Sequence, residues 1–276
     1  MSGEPQASEQ ASRIHPTAIV HPNAHVHPSV RLGPYAVIDG DVEIDADCVI
    51  GPHAYLTGHT KIGRNNRFHA SCVIGDEPQD HKYKGEPTKL RIGDDNVFRE
   101  HVTVHRSNKL EEDTVIGSHN LLMAGSHVGH NVVVGDHVIL ANAALLAGHV
   151  HVADRVFISG SCLVHQFVRV GPYAMMQGGA GISKDLPPYA IAAGENEICG
   201  LNVVGLRRNG FSAEVRLELR ELYRRLFRSG APLGPALREA LAEPHGPEAR
   251  LFLDFIRTSK RGVCSHGRRA EVVDAE

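Results

Sequence analysis

The stretch HVGHNVVVGDHVILANAALLAGHVHVADRVFISGSCLVHQFVRV, residues 127–170, decides the fold. An aliphatic residue recurs in it at every sixth position, for example at Val128, Val134 and Leu140. A short strand followed by a tight turn uses about six residues, and three such units close a triangular coil of about 18 residues. Stacked coils pair their strands about 4.8 Å apart. The stretch therefore predicts a prism of parallel strands around an aliphatic interior.

The six-residue period extends from Ile14 to Ile182, with two interruptions. All 26 positions of this register are apolar in a chain that is 42% apolar, so the probability of the pattern by chance is about 10⁻¹⁰. The interruptions, residues 75–90 and 105–115, are polar and are predicted to be loops that leave the prism. We expect the hexapeptide domain to span residues 14–190.

The composition of the chain agrees with a narrow prism and excludes several classes of function. Its 276 residues include 28 glycines and no tryptophan, and its net charge of −3 argues against nucleic-acid binding. No apolar run reaches the roughly 18 residues of a membrane span, and the polar residues 1–13 predict a flexible tail without a signal peptide. Five scattered cysteines without a C-x-x-C pair predict reduced thiols and a cytoplasmic protein.

A helical period replaces the hexapeptide period after Pro187 and Pro188. Residues 191–262 are predicted to form an α-helical C-terminal domain, with Ser212 as a helix N-cap and Gly230 as a stop. Such a domain covers the open strand edge of the prism or forms a surface for a partner, and these two roles are compatible. Residues 263–276 are predicted to be a second flexible tail.

One corner of the prism carries a group of candidate site residues. Because residues about 18 apart stack, His130, Gly148 and Gln166 form a column. Three further histidines flank this column: His127, His149 and His165. A histidine with a free ring nitrogen can act as a general base on a hydroxyl, and a glycine N–H one coil away can stabilise an oxyanion. This pairing favours acyl transfer from a thioester to a hydroxyl; a three-histidine zinc site, as in a hydratase, is the competing chemistry.

Segments in the loops and corners carry a closer resemblance than the repeats do. They are Gln79–Tyr83 (QDHKY), Arg99–Arg106 (REHVTVHR), Asn120–His130 (NLLMAGSHVGH), Leu140–His149 (LANAALLAGH) and Gly205–Ser212 (GLRRNGFS). With them the chain resembles, from about Ile14 to Arg261, the acyl-carrier-protein–UDP-N-acetylglucosamine O-acyltransferases, the hexapeptide-repeat family that begins lipid A synthesis. The resemblance implies a mainly β protein, a left-handed parallel β-helix of hexapeptide repeats with a C-terminal α-helical domain.

The resemblance also implies the partners and the roles of residues. The acyl donor is an acidic acyl carrier protein, the acceptor is UDP-N-acetylglucosamine, no cofactor or metal is needed, and the enzyme is a cytoplasmic homotrimer with sites between adjacent prisms. His130 matches the general base, with Asn131 beside it, and Gly148 matches the oxyanion donor. Substrate-binding positions are matched by Gln79, Asp80, Lys82, His127, His149, His165, Gln166, Asn202 and Arg208.

The acyl chain is expected to lie one coil beyond this group. Met175, Met176, Gln177 and Gly178 are predicted to form the floor of an acyl-chain groove, where bulkier side chains would shorten the accepted chain. Arginines of the C-terminal domain, among them Arg208, form a plausible surface for the acidic carrier protein.

Three positions depart from the family pattern. Asn131 stands where the family often has an aspartate, Val204 replaces an acidic residue and Asn209 replaces a basic one. An asparagine accepts a hydrogen bond from the base but carries no charge. The residues Met123–Ser126 also differ, which leaves open an acceptor with a 3-amino group and hence N-acylation. A zinc hydratase and a non-catalytic prism are the remaining alternatives.

Overall fold

Three parallel sheets form the faces of a triangular prism in the computed structural model, which describes residues 13–267. Within these residues sheet I has nine strands: Ile19–Val20, Val37–Ile38, Tyr55–Leu56, Val73–Asp76, Thr103–His105, His127–Val128, Leu145–Leu146, Leu163–Val164 and Gly181–Ile182. Sheet II has eight: His25–Val26, Val42–Ile44, His59–Ile62, Lys89–Ile92, Thr114–Ile116, Val133–Val134, His151–Val152 and Arg169–Val170.

Sheet III is the longest of the three and continues past the repeats. Over residues 13–267 it contains eleven strands: Arg31–Leu32, Val49–Ile50, Arg67–Phe68, Val97–Phe98, Leu121–Leu122, Ile139–Leu140, Phe157–Ile158, Met175–Met176, Ala190–Ala193, Glu197–Leu201 and Ser265–His266. The pair Ala190–Ala193 and Glu197–Leu201 is antiparallel, whereas the paired strands of the prism itself are parallel.

The interior of the prism is built by the residues of the six-residue register. Val128 pairs with Leu146, which pairs with Val164, and all three side chains are buried. The largest interior side chains, Phe68 and Phe98, stack on each other with centroids 4.6 Å apart. Each coil thus buries small aliphatic side chains against those above and below, which confirms the predicted prism and its narrow core.

The corners of the prism require an unusual backbone conformation. In the described chain eighteen non-glycine residues have φ between 55° and 66°, and five of them are histidines: His53, His101, His119, His137 and His149. Histidine, asparagine and aspartate tolerate this left-handed region better than most residues. Elsewhere a corner histidine supports the turn directly, as where His21 Nδ1 accepts a hydrogen bond from the backbone N–H of Asn23. Much of the histidine content is therefore structural.

Both interruptions are loops that leave the prism, and each loop is a few residues shorter than the predicted segment. The first loop comprises residues 77–88 and the second loop residues 106–113. A ladder of buried asparagines marks the extra chain: Asn96 donates to Asn66, 30 residues away, and Asn120 donates to Asn96, 24 residues away. The ordinary spacing of 18 residues is seen where Val138 donates to Asn120. The two loops therefore insert into adjacent coils and lie near each other.

The helical part follows the last strands of sheet III. Its helices are α1 (Val203–Arg208), α2 (Ala213–Tyr223), which continues as a π-helical turn (Arg224–Arg228), α3 (Leu233–Leu241) and α4 (Pro247–Arg257). Ser212 caps α2 as predicted, accepting a hydrogen bond from the Val215 N–H. A second hydrophobic cluster, which includes Tyr189, Leu206 and Phe252, joins these helices to the end of the prism.

Two predicted boundaries differ from the structure. The helical domain does not begin at residue 191, because Ala190–Ala193 and Glu197–Leu201 extend sheet III and pair its open edge before the first helix starts at Val203. The predicted tail 263–276 is also wrong in its first residues, since Cys264 is fully buried and Ser265–His266 pairs with Glu197–Ile198. The rest of that tail and residues 1–12 of the predicted N-terminal tail lie outside the described residues.

Candidate active site

His130 and Asn131 form a hydrogen-bonded pair at the corner that follows the strand His127–Val128. The His130 Nδ1 atom is 2.8 Å from Asn131 Oδ1. Asn131 occupies the left-handed corner position, with a φ of 57°, and is 5% exposed. Its backbone N–H donates to Thr114 Oγ1 on sheet II. The corner geometry of the prism therefore places the Asn131 amide beneath the imidazole of the preceding residue.

The partners of Asn131 determine which ring nitrogen of His130 carries the proton. The backbone N–H of Asn108 donates to Asn131 Oδ1 at 3.1 Å, while Asn131 Nδ2 donates to Ser107 Oγ at 2.7 Å and to Glu112 Oε2 at 3.3 Å. The amide oxygen therefore faces His130 and accepts from it, so His130 Nδ1 is the protonated nitrogen. The Nε2 atom of the neutral ring is then free to accept a proton.

Gly148 lies against the His130 ring, one coil further along the prism. A Cβ atom added to Gly148 would be 2.6 Å from His130 Cε1 and 2.7 Å from Nε2. A glycine is therefore required for the imidazole to keep its place. Within residues 13–267 the Gly148 N–H has no hydrogen-bond acceptor, whereas the neighbouring His149 N–H donates to the His130 carbonyl. The Gly148 amide is thus available to stabilise an oxyanion beside the free ring nitrogen.

His127 forms the inner wall of the site together with His105. Its Nδ1 atom is 2.7 Å from Thr103 Oγ1, and its ring meets the edge of His105 with centroids 5.2 Å apart. Burial, helped by the neighbouring His105 and His130, lowers the pKa of His127 to about 4. Burial likewise lowers the pKa of His105, whose Nδ1 donates to the Glu77 carbonyl. Both rings are therefore neutral near pH 7.

His149 lies on the opposite side of His130 and connects it to the second loop. Its ring meets His130 edge-on at 5.1 Å and stacks on Phe167 at 4.5 Å. Its Nδ1 atom is 3.7 Å from Glu112 Oε2. Burial and the proximity of His130 lower the pKa of His149, and Glu112 opposes this shift. His149 thus packs the site rather than supplying a second base.

The first loop brings Asp80 to the same place through the second loop. Asp80 Oδ2 accepts a hydrogen bond from Asn108 Nδ2 at 2.6 Å, and Asp80 Oδ1 accepts one from the Lys82 N–H. These two bonds, with a smaller effect of His130, lower the pKa of the Asp80 carboxyl. Asn108 therefore links the loops, since its side chain binds Asp80 and its backbone binds Asn131.

A cleft of about 720 Å³ runs from these residues along sheet I. Its apolar wall includes Leu145, Leu163 and Gly181, which point outward from consecutive coils. Leu163 is 55% exposed, so the wall is open on the surface of the single chain. The complete lining is Gln79, His105, His127, Gly129, His130, Leu145, Leu146, Ala147, Gly148, Leu163, Val164, His165, Gln166, Gly179, Gly181, Ile182, Ser183, Gly194, Glu195 and Asn196.

Some predicted site residues line this cleft and others do not. Those that line it are Gln79, His127, His130, Gly148, His165 and Gln166, with Asp80, Asn131 and His149 directly behind it. Lys82 and Arg208 are exposed elsewhere. Asn202 caps α1, accepting from the Gly205 N–H and donating to the Tyr173 carbonyl, so its side chain has a structural role.

The predicted acyl-chain floor also differs from the observed cleft. Met176 is fully buried inside the prism and cannot line a surface groove. Met175, Gln177 and Gly178 lie on sheet III and at its corner, outside the cleft of this chain. The physical reason is the triangular cross-section: Leu145 and Leu163 lie one and two coils beyond His127 on the face next to His130, whereas Met175 belongs to another face. Gly179, next to Gly178, does line the cleft.

Sequence reasoning missed the residues of the second loop. Ser107, Asn108 and Glu112 all contact Asn131. The period gave no signal for them, because they lie in the segment that interrupts the six-residue register. His105 was missed as well, although it lies on sheet I in the strand that pairs with His127–Val128.

Between Arg13 and Gly267, no three histidine, cysteine, aspartate or glutamate side chains are placed to share a metal ion. The zinc alternative therefore has no donor set in this part of the chain. Over the same residues, no helix is both long enough and apolar enough to cross a bilayer.

Comparison with known proteins agrees with this fold. Residues 23–58, 41–76 and 113–148 match the bacterial transferase hexapeptide family, and residues 185–264 match the family described as UDP N-acetylglucosamine O-acyltransferase, domain 2. Prism and cleft together thus define a hexapeptide-repeat transferase, a left-handed parallel β-helix with a C-terminal α-helical domain.

Relatives of full length narrow the class to one family. The chain is 43% identical over 255 residues to the acyl-[acyl-carrier-protein]–UDP-N-acetylglucosamine O-acyltransferase of Syntrophobacter fumaroxidans, covering 91% of this chain and 99% of the relative. The solved structure of LpxA from Acinetobacter baumannii matches with a TM-score of 0.87 and 41% identity, covering 91% and 99% of the two chains. That of the Francisella novicida UDP-N-acetylglucosamine acyltransferase gives 0.86 and 33%, covering 95% and 100%. The chain belongs to the acyl-[acyl-carrier-protein]–UDP-N-acetylglucosamine O-acyltransferase family and is an acyltransferase.

Proposed function

We propose that the chain transfers an acyl or 3-hydroxyacyl group from an acyl carrier protein thioester to the 3-hydroxyl of UDP-N-acetylglucosamine, the first step of lipid A synthesis, with His130 as general base. One observation carries this mechanism: His130 Nδ1 is committed to Asn131 Oδ1, which leaves Nε2 free beside the Gly148 amide in an open cleft. The names of the relatives supply the donor and the acceptor.

Each part of the reaction has a group to perform it. His130 Nε2 takes the proton of the acceptor hydroxyl as its oxygen bonds to the thioester carbonyl carbon. The Gly148 N–H donates to the carbonyl oxygen as it becomes negative. Collapse of the tetrahedral intermediate breaks the carbon–sulfur bond, and the imidazolium returns its proton to the departing carrier thiolate. No covalent enzyme intermediate is required.

The cleft divides between the two substrates. Polar groups of its lining, Gln79, His165 and Gln166, contact the nucleotide sugar. The acyl chain lies along Leu145, Leu163 and Gly181, because this wall is the apolar part of the lining. From Gly179 the path reaches Gly178, which is exposed, so Gly178 is the predicted floor residue best placed to limit chain length. Lys82 and Arg208 are exposed and do not line the cleft; their contact with a substrate is part of this proposal.

A homotrimer belongs to the same proposal, and the outward faces of the prism support it. Outward residues of sheet III from Val97 to Ile191 are apolar, and those of sheet I include Val37, Tyr55 and Leu163. Sheet II instead presents charged residues and histidines over most of its length. Two apolar faces on each prism suit a closed ring in which sheet I of one subunit meets sheet III of the next.

The carrier protein docks on the C-terminal helices in this proposal. Arg207, Arg208, Arg220 and Arg224 are exposed there, and an acidic partner would be attracted to them. Arg225 is less suited, because it already binds Glu243 and Glu239. A cytoplasmic location fits as well, since all five cysteines lie within residues 13–267 and none of them forms a disulfide.

Replacement of the base tests the mechanism. We expect His130→Ala to lower kcat by about 10³-fold or more, because proton removal from the hydroxyl has no substitute. His137→Ala is the matched control, since His137 is an exposed corner histidine that lines no cleft. The assay supplies a series of acyl-carrier thioesters with UDP-N-acetylglucosamine and its 3-amino analogue, and mass spectrometry identifies each product.

The outcomes separate the alternatives left open. An ester product formed by the wild-type protein and lost in His130→Ala supports the proposal. An amide formed in preference to the ester assigns N-acylation instead, and failure to bind either substrate assigns a scaffold. Full activity of His130→Ala contradicts His130 as the base even if the ester is made.

A further inference from the structure

The second loop places a carboxylate behind the partner of the proposed base. Glu112 Oε2 accepts a hydrogen bond from Asn131 Nδ2 at 3.3 Å, and the opposite end of that amide accepts from His130 Nδ1 at 2.8 Å. Glu112 Oε1 is 3.1 Å from Lys109 Nζ. A continuous line of hydrogen bonds thus runs from the imidazole through a neutral amide to a negative charge.

We propose that Glu112 is a positioning residue for the reaction, acting on His130 through the Asn131 amide; this inference rests on the function proposed above. An amide whose N–H binds a carboxylate has a more negative carbonyl oxygen and is a stronger acceptor, since hydrogen bonds in a chain polarise one another. The Asn131 oxygen therefore holds the His130 Nδ1–H more firmly, and more so when the ring gains a second proton. Glu112 thus supplies, through the Asn131 amide, the negative charge that Asn131 itself lacks.

The other contacts of Asn131 agree with this role. Ser107 Oγ and the Asn108 N–H bind the two ends of the amide, so it cannot turn over without losing four hydrogen bonds. Glu112 is itself held, because Lys109 is beside it, lowering the pKa of its carboxyl below the ordinary value. It is a fixed anion at neutral pH in the second loop, none of whose residues 106–113 lines the cleft.

Other charged and titratable groups around His130 must be distinguished from Glu112. Asp80 approaches from the first loop, His105 and His127 from sheet I, His149 from the next coil and Lys109 from the second loop. Burial keeps His127 neutral, and the pKa values of His105 and His149 are lowered in the same direction. Of the two carboxylates of the loops, Asp80 and Glu112, only Glu112 bonds to the amide partner of His130.

Glu112→Gln compared with Glu111→Gln tests the proposal. Both substitutions remove one negative charge from the same exposed loop, but only Glu112 contacts Asn131. We expect Glu112→Gln to lower kcat about tenfold with little change in either KM, the loss of one hydrogen bond to a charged group. The acidic limb of its pH–rate profile moves to lower pH, because removing the anion disfavours the protonated base. Glu111→Gln leaves kcat and the profile unchanged.

A second pair of variants separates polarisation from simple support of the loop. Asn131→Asp puts a carboxylate directly beside His130. It also replaces the Nδ2 donor with a second carboxylate oxygen 3.3 Å from Glu112 Oε2, so the two carboxylates repel each other. We expect it to lower kcat in the wild-type background and to lose less activity, or gain some, when combined with Glu112→Gln. A thermal melt of each variant records stability separately from kcat.

Two results would overturn the inference. One is an equal effect of Glu112→Gln and Glu111→Gln on kcat and pH profile; the other is an effect of Asn131→Asp that is the same in both backgrounds. His130→Ala in the same assay distinguishes failure of the positioning role from failure of the base assignment. If it is inactive while Glu112→Gln is normal, only the positioning role fails; if it is active, the base assignment fails.

Discussion

Two pairs of corner residues in this molecule have the same backbone conformation but different side-chain contacts. His119 and His137 have φ of 61° and 57°, and their rings stack 4.9 Å apart on the exposed surface. Asn131 and His149 have φ of 57° and 60°, yet Asn131 binds His130 and His149 packs edge-on against it. The prism supplies the same corner in both places.

The two loops make the difference between these corners. Near His119 and His137 the coils follow one another directly, so the side chains stack and meet solvent. At Asn131 the second loop adds Ser107, Asn108 and Glu112, and Asn108 attaches the first loop through Asp80. A repeat that satisfies its own backbone is thus converted into a site by short inserts that supply new partners.

Gly148→Ala should break the active corner without breaking the prism. Its Cβ would lie 2.6–2.7 Å from the His130 ring, which must turn away from the Asn131 oxygen and from the substrate. We expect kcat to fall about 10²-fold, in the range of a lost oxyanion or base contact. Gly200→Ala is the control, because its Cβ meets nothing within 4 Å. Equal activity of the two variants would contradict the assigned role of Gly148.

Asn108→Ala should weaken the junction of the loops while leaving the His130–Asn131 bond in place. The Asn108 side chain binds Asp80, whereas its backbone N–H, which the substitution retains, binds Asn131. We expect the KM for the nucleotide sugar to rise about tenfold and kcat to change less, since one hydrogen bond to a carboxylate is lost. Asn142→Ala, at an exposed corner, serves for comparison. A fall in kcat at constant KM would mean that Asp80 acts on the base instead.

His127 should make the folded state sensitive to acid. Burial lowers its folded pKa from 6.5 to about 4, so between these values the unfolded chain binds the extra proton and the folded one does not. The contribution of the neutral His127 ring to the free energy of unfolding is therefore complete above pH 6.5 and is lost as the pH falls toward 4. His127→Gln should flatten this part of a plot of Tm against pH, and an unchanged slope would argue against the buried neutral ring. This effect falls on stability, whereas the other two fall on kcat and KM.

The contrast between coils and loops also explains how much of the molecule could be predicted. The period placed Val128, Leu146 and Val164 in the core because identical packing recurs in each coil, and stacking brought His130 to Gly148. Glu112 and Asn108 act through side-chain bonds inside a non-repeating segment, for which periodicity gives no coordinate. Met175 shows a related limit: distance along the chain locates a coil, whereas the face of the triangle decides which cleft of the single chain a side chain lines.

The wall of the cleft grows by one outward residue per coil, from Leu145 to Leu163 to Gly181. The size of the cleft can therefore change in two ways. A substitution on the wall changes the cleft only at one coil, whereas duplication or deletion of one coil changes its length by a full strand spacing of about 4.8 Å, the length of a few methylene groups. Such a change leaves every remaining contact between neighbouring coils intact, because each coil packs only on the next. Under the function proposed above, the architecture thus allows both a coarse and a fine adjustment of acyl length next to the same corner.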